Sequence, residues 1–278
     1  MNSWRQLRTI AEKEIKIHLR SAWTYTFLIL LFVFMLPIVL LHAQNAFNIG
    51  QYSKLTATVM NLLLYYLPLM TLIISSFSMT QEKEDASLSY LLTYPIRPHT
   101  WVAGKFLGIV IVLFFLIVLC FSLLGLVSFL SNAPLSLANY TFLLSFSLCL
   151  TLFFSAAGIF FGAIAKNRWQ SLILSVAFWI LLVLAWPMLF IVFLSSLHYR
   201  IVTNVLQIAT LFNPSELVRI FFTIKFGGGT ILGPEYLHWI TWADSMKGTI
   251  FFVFFLVLSV VFAIFLSSFV VKMGDGKL

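Results

Sequence analysis

From Phe106 to Ala165 the chain runs for 60 residues without one Asp, Glu, Lys or Arg. An ordinary soluble domain carries about 25% charged residues, so such a stretch does not belong to one. Nor is it a single membrane span, because about 20 residues rising 1.5 Å each already cross ~30 Å of hydrocarbon. Ser131-Asn132-Ala133-Pro134 divides it and predicts spans near 102–130 and 138–165. Charge is equally absent near 22–42, 56–79, 169–197 and 248–271, which predicts four more. With 61% hydrophobic and 9% charged residues overall, residues 1–278 read as one all-α polytopic membrane domain of six transmembrane helices.

The formal net charge of +8 would suggest a nucleic-acid partner in a soluble protein. In a membrane protein Lys and Arg gather on the cytoplasmic side, and no nucleic acid is expected. Of the 17 Lys and Arg, 12 fall in segments that are inside if both termini are cytoplasmic, and five fall outside. The expected location is the cytoplasmic membrane, with the first span kept as an uncleaved anchor because its apolar run is too long for a signal peptide. Cys120 and Cys149 lie within apolar runs and read as small buried hydrophobes.

Three polar segments punctuate the spans. Residues 3–20 carry Arg5, Arg8, Lys13, Lys16 and Arg20, with Trp4, Leu7, Ile10, Ile15 and Leu19 as a loose apolar face. That pattern predicts a helix lying in the lipid interface. Residues 80–95 begin with Thr80 as a possible cap, then Glu82, Lys83, Glu84 and Asp85, an apolar patch of Leu88, Leu91, Leu92 and Tyr94, and a Pro95 stop. Acidic residues suit the first turn of a helix, where the dipole favours anions, so a short cytoplasmic helix is expected. The connection 198–247 holds Asn213 as N-cap, Pro214 at the first helical position and Glu216 at N3, with Arg219 following. The flanking stretches 201–211 and 217–224 are apolar enough for the interface, and Gly227-Gly228-Gly229 reads as a flexible connector.

Ionisable residues inside spans mark proton relays, ion paths and intramembrane catalysis. Here the spans hold essentially none, with only Lys105 near the end of the third. No HExxH, GxSxG or phosphate-binding loop occurs, and the five histidines are scattered, so no metal site and no catalytic residue is expected. A carrier without coupling charges must draw its energy from a separate protein. The small residues Ser155, Ala156, Ala157, Gly158, Gly162 and Ala163 allow close helix approach, as in a dimer seam or another packing interface. Pro68 predicts a kink or a cavity in the second span.

Gln81-Glu82-Lys83-Glu84-Asp85, then Leu91-Leu92-Thr93-Tyr94-Pro95, then Gly104-Lys105-Phe106 resemble the pattern of ABC-2 type permeases, most of all the NosY branch, which serves the maturation of nitrous oxide reductase. Ile10-Ala11, Lys13-Glu14, Leu19-Arg20 and Trp23 resemble the family's N-terminal interfacial helix, and Leu211, Asn213-Pro214 and Arg219 its extracytoplasmic segment. The resemblance implies a type V exporter-like permease fold in which 80–95 is the coupling helix on an ATPase. It implies a homodimer with two ATP-binding cassette subunits, which hold ATP and Mg while this chain binds no cofactor. The branch implies an extracytoplasmic partner of NosD type and a part in copper-enzyme maturation. A generic exporter permease, or a membrane-bound assembly factor or enzyme without an ATPase, are the rival readings.

Overall fold

A computed structural model describes residues 3–44, 54–85, 97–131, 137–195, 199–233 and 236–275, and no strand occurs among them. Helix α1 (Ser3–Leu19) is followed by α2 (Ala22–Gln44), α3 (Lys54–Glu84), α4 (Pro98–Leu130) and α5 (Leu137–Ile164). The fifth crossing is composite: α6 (Arg168–Trp179), a π-helical segment (Ile180–Ala185) and α7 (Trp186–Ser195). Then come α8 (Tyr199–Phe212), α9 (Pro214–Thr223), α10 (Leu237–Asp244) and α11 (Met246–Asp275). Among the described residues six helical stretches are long and apolar enough to cross a membrane, namely α2, α3, α4, α5, the α6–α7 composite and α11. The charge-free runs therefore become spans for the reason the sequence gives: in hydrocarbon every backbone polar group must be satisfied within its own helix.

The centre is built from α3, α4 and α5, and glycines set how closely it packs. A Cβ on Gly158 would stand 2.8 Å from Leu72 O, and one on Gly162 would stand 2.5 Å from Ser76 O. Neither position accepts a larger residue without parting α5 from α3. The small-residue series is thus a seam within one chain rather than between two copies. A second glycine pair, Gly104 and Gly108, brings α1 onto α4: Cβ atoms there would meet Ile10 Cβ at 2.9 Å and Glu14 Cβ at 2.6 Å. Helix α2 is tied on by Tyr66, whose buried hydroxyl donates to Phe27 O at 2.7 Å while its ring stacks on that of Phe27. Helix α3 continues through Pro68, and Cys120 and Cys149 are free thiols, the first buried and the second half-buried.

On α1 the buried residues are Ala11, Glu14 and His18, and Trp4 and Leu19 of the apolar face point outward. Two expectations for 198–247 are corrected. Residues 217–224 do not lie flat in an interface. Leu217, Val218, Ile220, Phe221 and Phe222 are buried in the bundle, with Phe222 edge-on to Phe142 and Phe146, and Phe221 stacked 4.0 Å from Phe252. The triple glycine is a tight turn: Gly227 has φ +83°, the left-handed region where a Cβ is costly, and Gly229 starts a short 3₁₀ turn. At Asn213 the side chain caps α9 by accepting from the N–H groups of Ser215 and Glu216, and Pro214 occupies the first position. Glu216 does not close a reciprocal capping box; its carboxylate pairs with Arg219 one turn on.

Candidate functional site

The ends of α3 and α5 and the starts of α4 and α6 meet at one end of the bundle, where α1 lies across α4. This is where the charges that the spans lack are collected. Helix α3 does not stop at Thr80. The Thr80 hydroxyl donates back to Ser76 O at 3.2 Å, as threonines do inside helices, and the helix runs on to Glu84. Thr80 is therefore no N-cap, and Glu82 and Glu84 occupy a last turn rather than a first one. The helix dipole disfavours anions there, so these carboxylates need cations from elsewhere in the chain.

Each one has its cation. Glu82 Oε1 accepts from Lys13 Nζ at 2.9 Å and lies 3.4 Å from Lys105 Nζ. Glu84 is gripped twice by Arg168, through Nε at 2.7 Å and through the backbone N–H at 2.7 Å. Between them Lys83 points the other way and donates to the carbonyls of Gly162, Ala163 and Ala165, at 3.0 Å for the first and 2.8 Å for the last. These are orphan acceptors at the C-terminal end of α5, and one ammonium with three donors satisfies all three. The final turn of α3 thereby holds α1, α5 and α6 at once.

The most buried member is Lys105, 1% exposed in the second turn of α4. Its ammonium donates to Glu14 Oε1 at 2.7 Å, Ser78 O at 3.2 Å and Ser78 Oγ at 3.0 Å. Glu14, also 1% exposed, accepts from Ser78 Oγ at 2.9 Å through its other oxygen and lies 3.5 Å from His18 Nε2. Burial alone would raise the Glu14 carboxyl, but the neighbouring His18 imidazole and Lys105 ammonium overrule it and hold it at about 2. Glu14 is therefore ionised at any physiological pH, so the pair is a fixed strut rather than a proton relay. Beside it opens a crevice of about 210 Å³ reaching from Lys105 and Glu14 out to Lys13, Gln81 and Asp85.

Of the residues singled out by sequence, Lys13, Glu14 and Glu82 come together in this cluster, and Glu84 stands beside it on Arg168. Asp85 follows in a turn and is exposed, and Arg5 and Arg20 are exposed on and just after α1. Leu88, Leu91, Leu92, Tyr94 and Pro95 lie outside the described residues. Asn213, Pro214, Glu216 and Arg219 belong to the far end of the bundle and have no part here. Sequence reasoning named Lys83 and Lys105 without giving them a part in the site, and missed Ser78, His18 and Arg168. The available signal was Gly104-Lys105-Phe106-Leu107-Gly108, a small-xxx-small pair that announces a close neighbour around an otherwise stranded lysine.

This arrangement has no chemistry of bond making. Among the described residues no group of three His, Cys, Asp or Glu could hold a metal ion. Its capability is mechanical. Residues 86–96 leave from the end of α3 and return to α4 through Arg97 and Pro98, so both attachments of that segment are fastened to one salt-bridged body.

Comparison with known proteins agrees with that reading. Residues 8–270 match the family described as ABC-2 family transporter protein. A probable ABC transporter permease protein NosY of Stutzerimonas stutzeri is 24% identical over 237 residues, covering 82% of this chain and 85% of the relative. A protein of the same description from Pseudomonas aeruginosa is 26% identical over 235 residues, covering 80% and 85%. A buried charge cluster where α1, α3 and α4 meet, six apolar crossings among the described residues and a match along nearly the whole length lead to one conclusion: the chain belongs to the ABC-2 transporter family and is a membrane-spanning permease subunit of an ABC transporter, not an enzyme.

Proposed function

We propose that this permease works in a NosY-like transporter, with the charged end facing the cytoplasm and residues 86–96 seated on a separate ATPase that holds ATP and Mg. The observation that carries the reading is the Lys105–Glu14–Glu82 cluster. It joins α1, the end of the second span and the start of the third, so a push on 86–96 reaches three helices together. Both termini are then cytoplasmic, and the distribution of Lys and Arg supports that orientation. Two copies form the passage above two ATPase subunits, and the helices of 198–247 face a partner of NosD type outside. The NosY role, supplying the copper site of nitrous oxide reductase, is supported by the two relatives, whose descriptions carry that name.

Two experiments test the proposal separately. Glu84→Arg with Leu91→Asp should leave membrane insertion intact and abolish co-purification of the ATPase; undiminished co-purification contradicts the docking assignment. Deleting the gene in its host should leave nitrous oxide reductase synthesised but short of copper. A fully loaded reductase in the deletion strain rejects the NosY branch and leaves a generic exporter permease.

A further inference from the structure

The fifth crossing changes helical register midway. Trp186 N–H bonds to Leu181 O, five residues back, at the close of the π segment. The next donor in that register would serve Leu182 O, but residue 187 is proline and has no N–H. Leu182 O, on a residue 6% exposed, would be left without a backbone partner. Asn213 supplies one: its Nδ2 donates to Leu182 O at 2.7 Å. The same side chain's Oδ1 accepts from Ser215 N, Ser215 Oγ and Glu216 N, which fixes the orientation of the amide. Asn213 is fully buried and therefore both caps α9 and closes the gap left by Pro187.

The two halves of the crossing are held by different neighbours. Below the π segment, α6 is bound to α3: Arg168 to Glu84, Ser175 Oγ to Ser76 Oγ at 3.1 Å, and the Trp179 indole to Tyr65 O at 2.9 Å. Above it, Met188 and Leu189 of α7 face outward from the chain. The Asn213 bond thus ties the π segment to α9, whose phenylalanines pack on α5 and α11. A register change with a missing donor, fastened to α3 below and to α9 by one amide, is a place where a helix bends at low cost.

We infer that the π segment Ile180–Ala185 is the hinge of the fifth crossing and that Asn213 is the positioning residue that latches it. Motion of the charged end travels through α3 to α6, while α9 holds the far side through one amide. Opening the latch lets α7 swing relative to α6, and closing it restores a continuous crossing. The inference rests on the permease fold and is independent of the NosY branch.

Hydrogen exchange on the full chain in lipid nanodiscs tests this. Asn213→Ser keeps the cap, since serine is an equivalent N-cap, but cannot reach Leu182. Amides of 181–190 should exchange about fivefold faster, the effect of one lost hydrogen bond, while those of Ser215 and Glu216 stay unchanged. Adding Pro187→Ala returns an N–H in register with Leu182 O and should restore protection. Unchanged rates at 181–190 in Asn213→Ser, or acceleration that Pro187→Ala does not reverse, overturn the inference. Should Asn213→Ser fail to insert, Pro187→Ala alone decides: slower exchange at 181–190 than in the native chain supports the hinge, and an unchanged rate refutes it.

Discussion

Lys105→Met removes the ammonium at the centre of the charged end. Methionine matches the aliphatic stem, so the loss is electrostatic rather than volumetric. Glu14 keeps Ser78 Oγ at 2.9 Å and His18 at 3.5 Å but loses its 2.7 Å cation. Stranding one partner of a buried pair costs about 3–5 kcal/mol. An independent route gives a similar size: protonating a carboxyl with the ordinary value of 4.5 at pH 7 costs about 3.4 kcal/mol. In Lys105→Met/Glu14→Leu both charges of the pair are gone, Glu82 keeps Lys13 and the Ser78 hydroxyl can turn back to its own helix, so stability should return to within about 1 kcal/mol of wild type, since well-packed apolar replacements of buried pairs are often neutral. The pH dependence carries the sign. In the native chain the folded carboxyl is depressed, so its contribution is complete above 4.5 and lost only as pH falls through about 2. In Lys105→Met the carboxyl loses that cation but keeps His18, so it rises from its native position, and any change in the deficit between pH 7 and pH 5 is a decrease. Denaturant unfolding in nanodiscs at both pH values reads all three quantities. A single variant losing under about 1 kcal/mol, or a double variant losing the sum of its singles, means that Lys105 and Glu14 are not a coupled buried pair.

Two further outcomes follow from packing at the same end. Gly108→Val places methyls where even a Cβ would sit 2.6 Å from Glu14 Cβ and 2.9 Å from Ala11 O, and should lift α1 off α4 at a cost of about 1–3 kcal/mol. Limited proteolysis should then cut α1 sooner than in the native chain, and equal cleavage rates count against the close approach. Lys83→Met leaves the carbonyls of Gly162, Ala163 and Ala165 without their shared donor and should destabilise by about 1–3 kcal/mol, with faster amide exchange confined to the end of α5 and the start of α6. Exchange that speeds uniformly along the chain would mean Lys83 is no cap.

The crossings were legible because their signal is local: a charge in a lipid-facing turn is so costly that its absence over 60 residues marks spans directly. The start of α9 was legible for the same reason, since Asn213 and Pro214 act on backbone groups within three residues of themselves. The charged end was only half legible. Its acidic run stood out, but Thr80 read as a cap because threonine serves equally as a cap or as a back-bonding residue inside a helix, and the choice depends on whether α3 finds cations further on. Those cations come from Lys13, Lys105 and Arg168, and Lys105 meets Glu14 across 91 positions. Nothing in a single sequence encodes a pairing at that range. Gly158 and Gly162 announced a close approach without naming α3 as the partner, because a missing side chain permits contact but does not choose it.

If residues 86–96 transmit the ATPase stroke as proposed, α1 and the start of the third span move as one body during turnover. In a chain with Cys120 and Cys149 changed to Ala, Ile10→Cys and Gly104→Cys place two thiols where a Cβ on Gly104 would lie 2.9 Å from that of Ile10, close enough to bridge after a slight separation. The measurement is the ATP turnover of the assembled transporter before and after oxidation of this pair. The same turnover is expected in both states, because the bridge joins parts that never separate. Turnover that stops on oxidation and returns on reduction would contradict it.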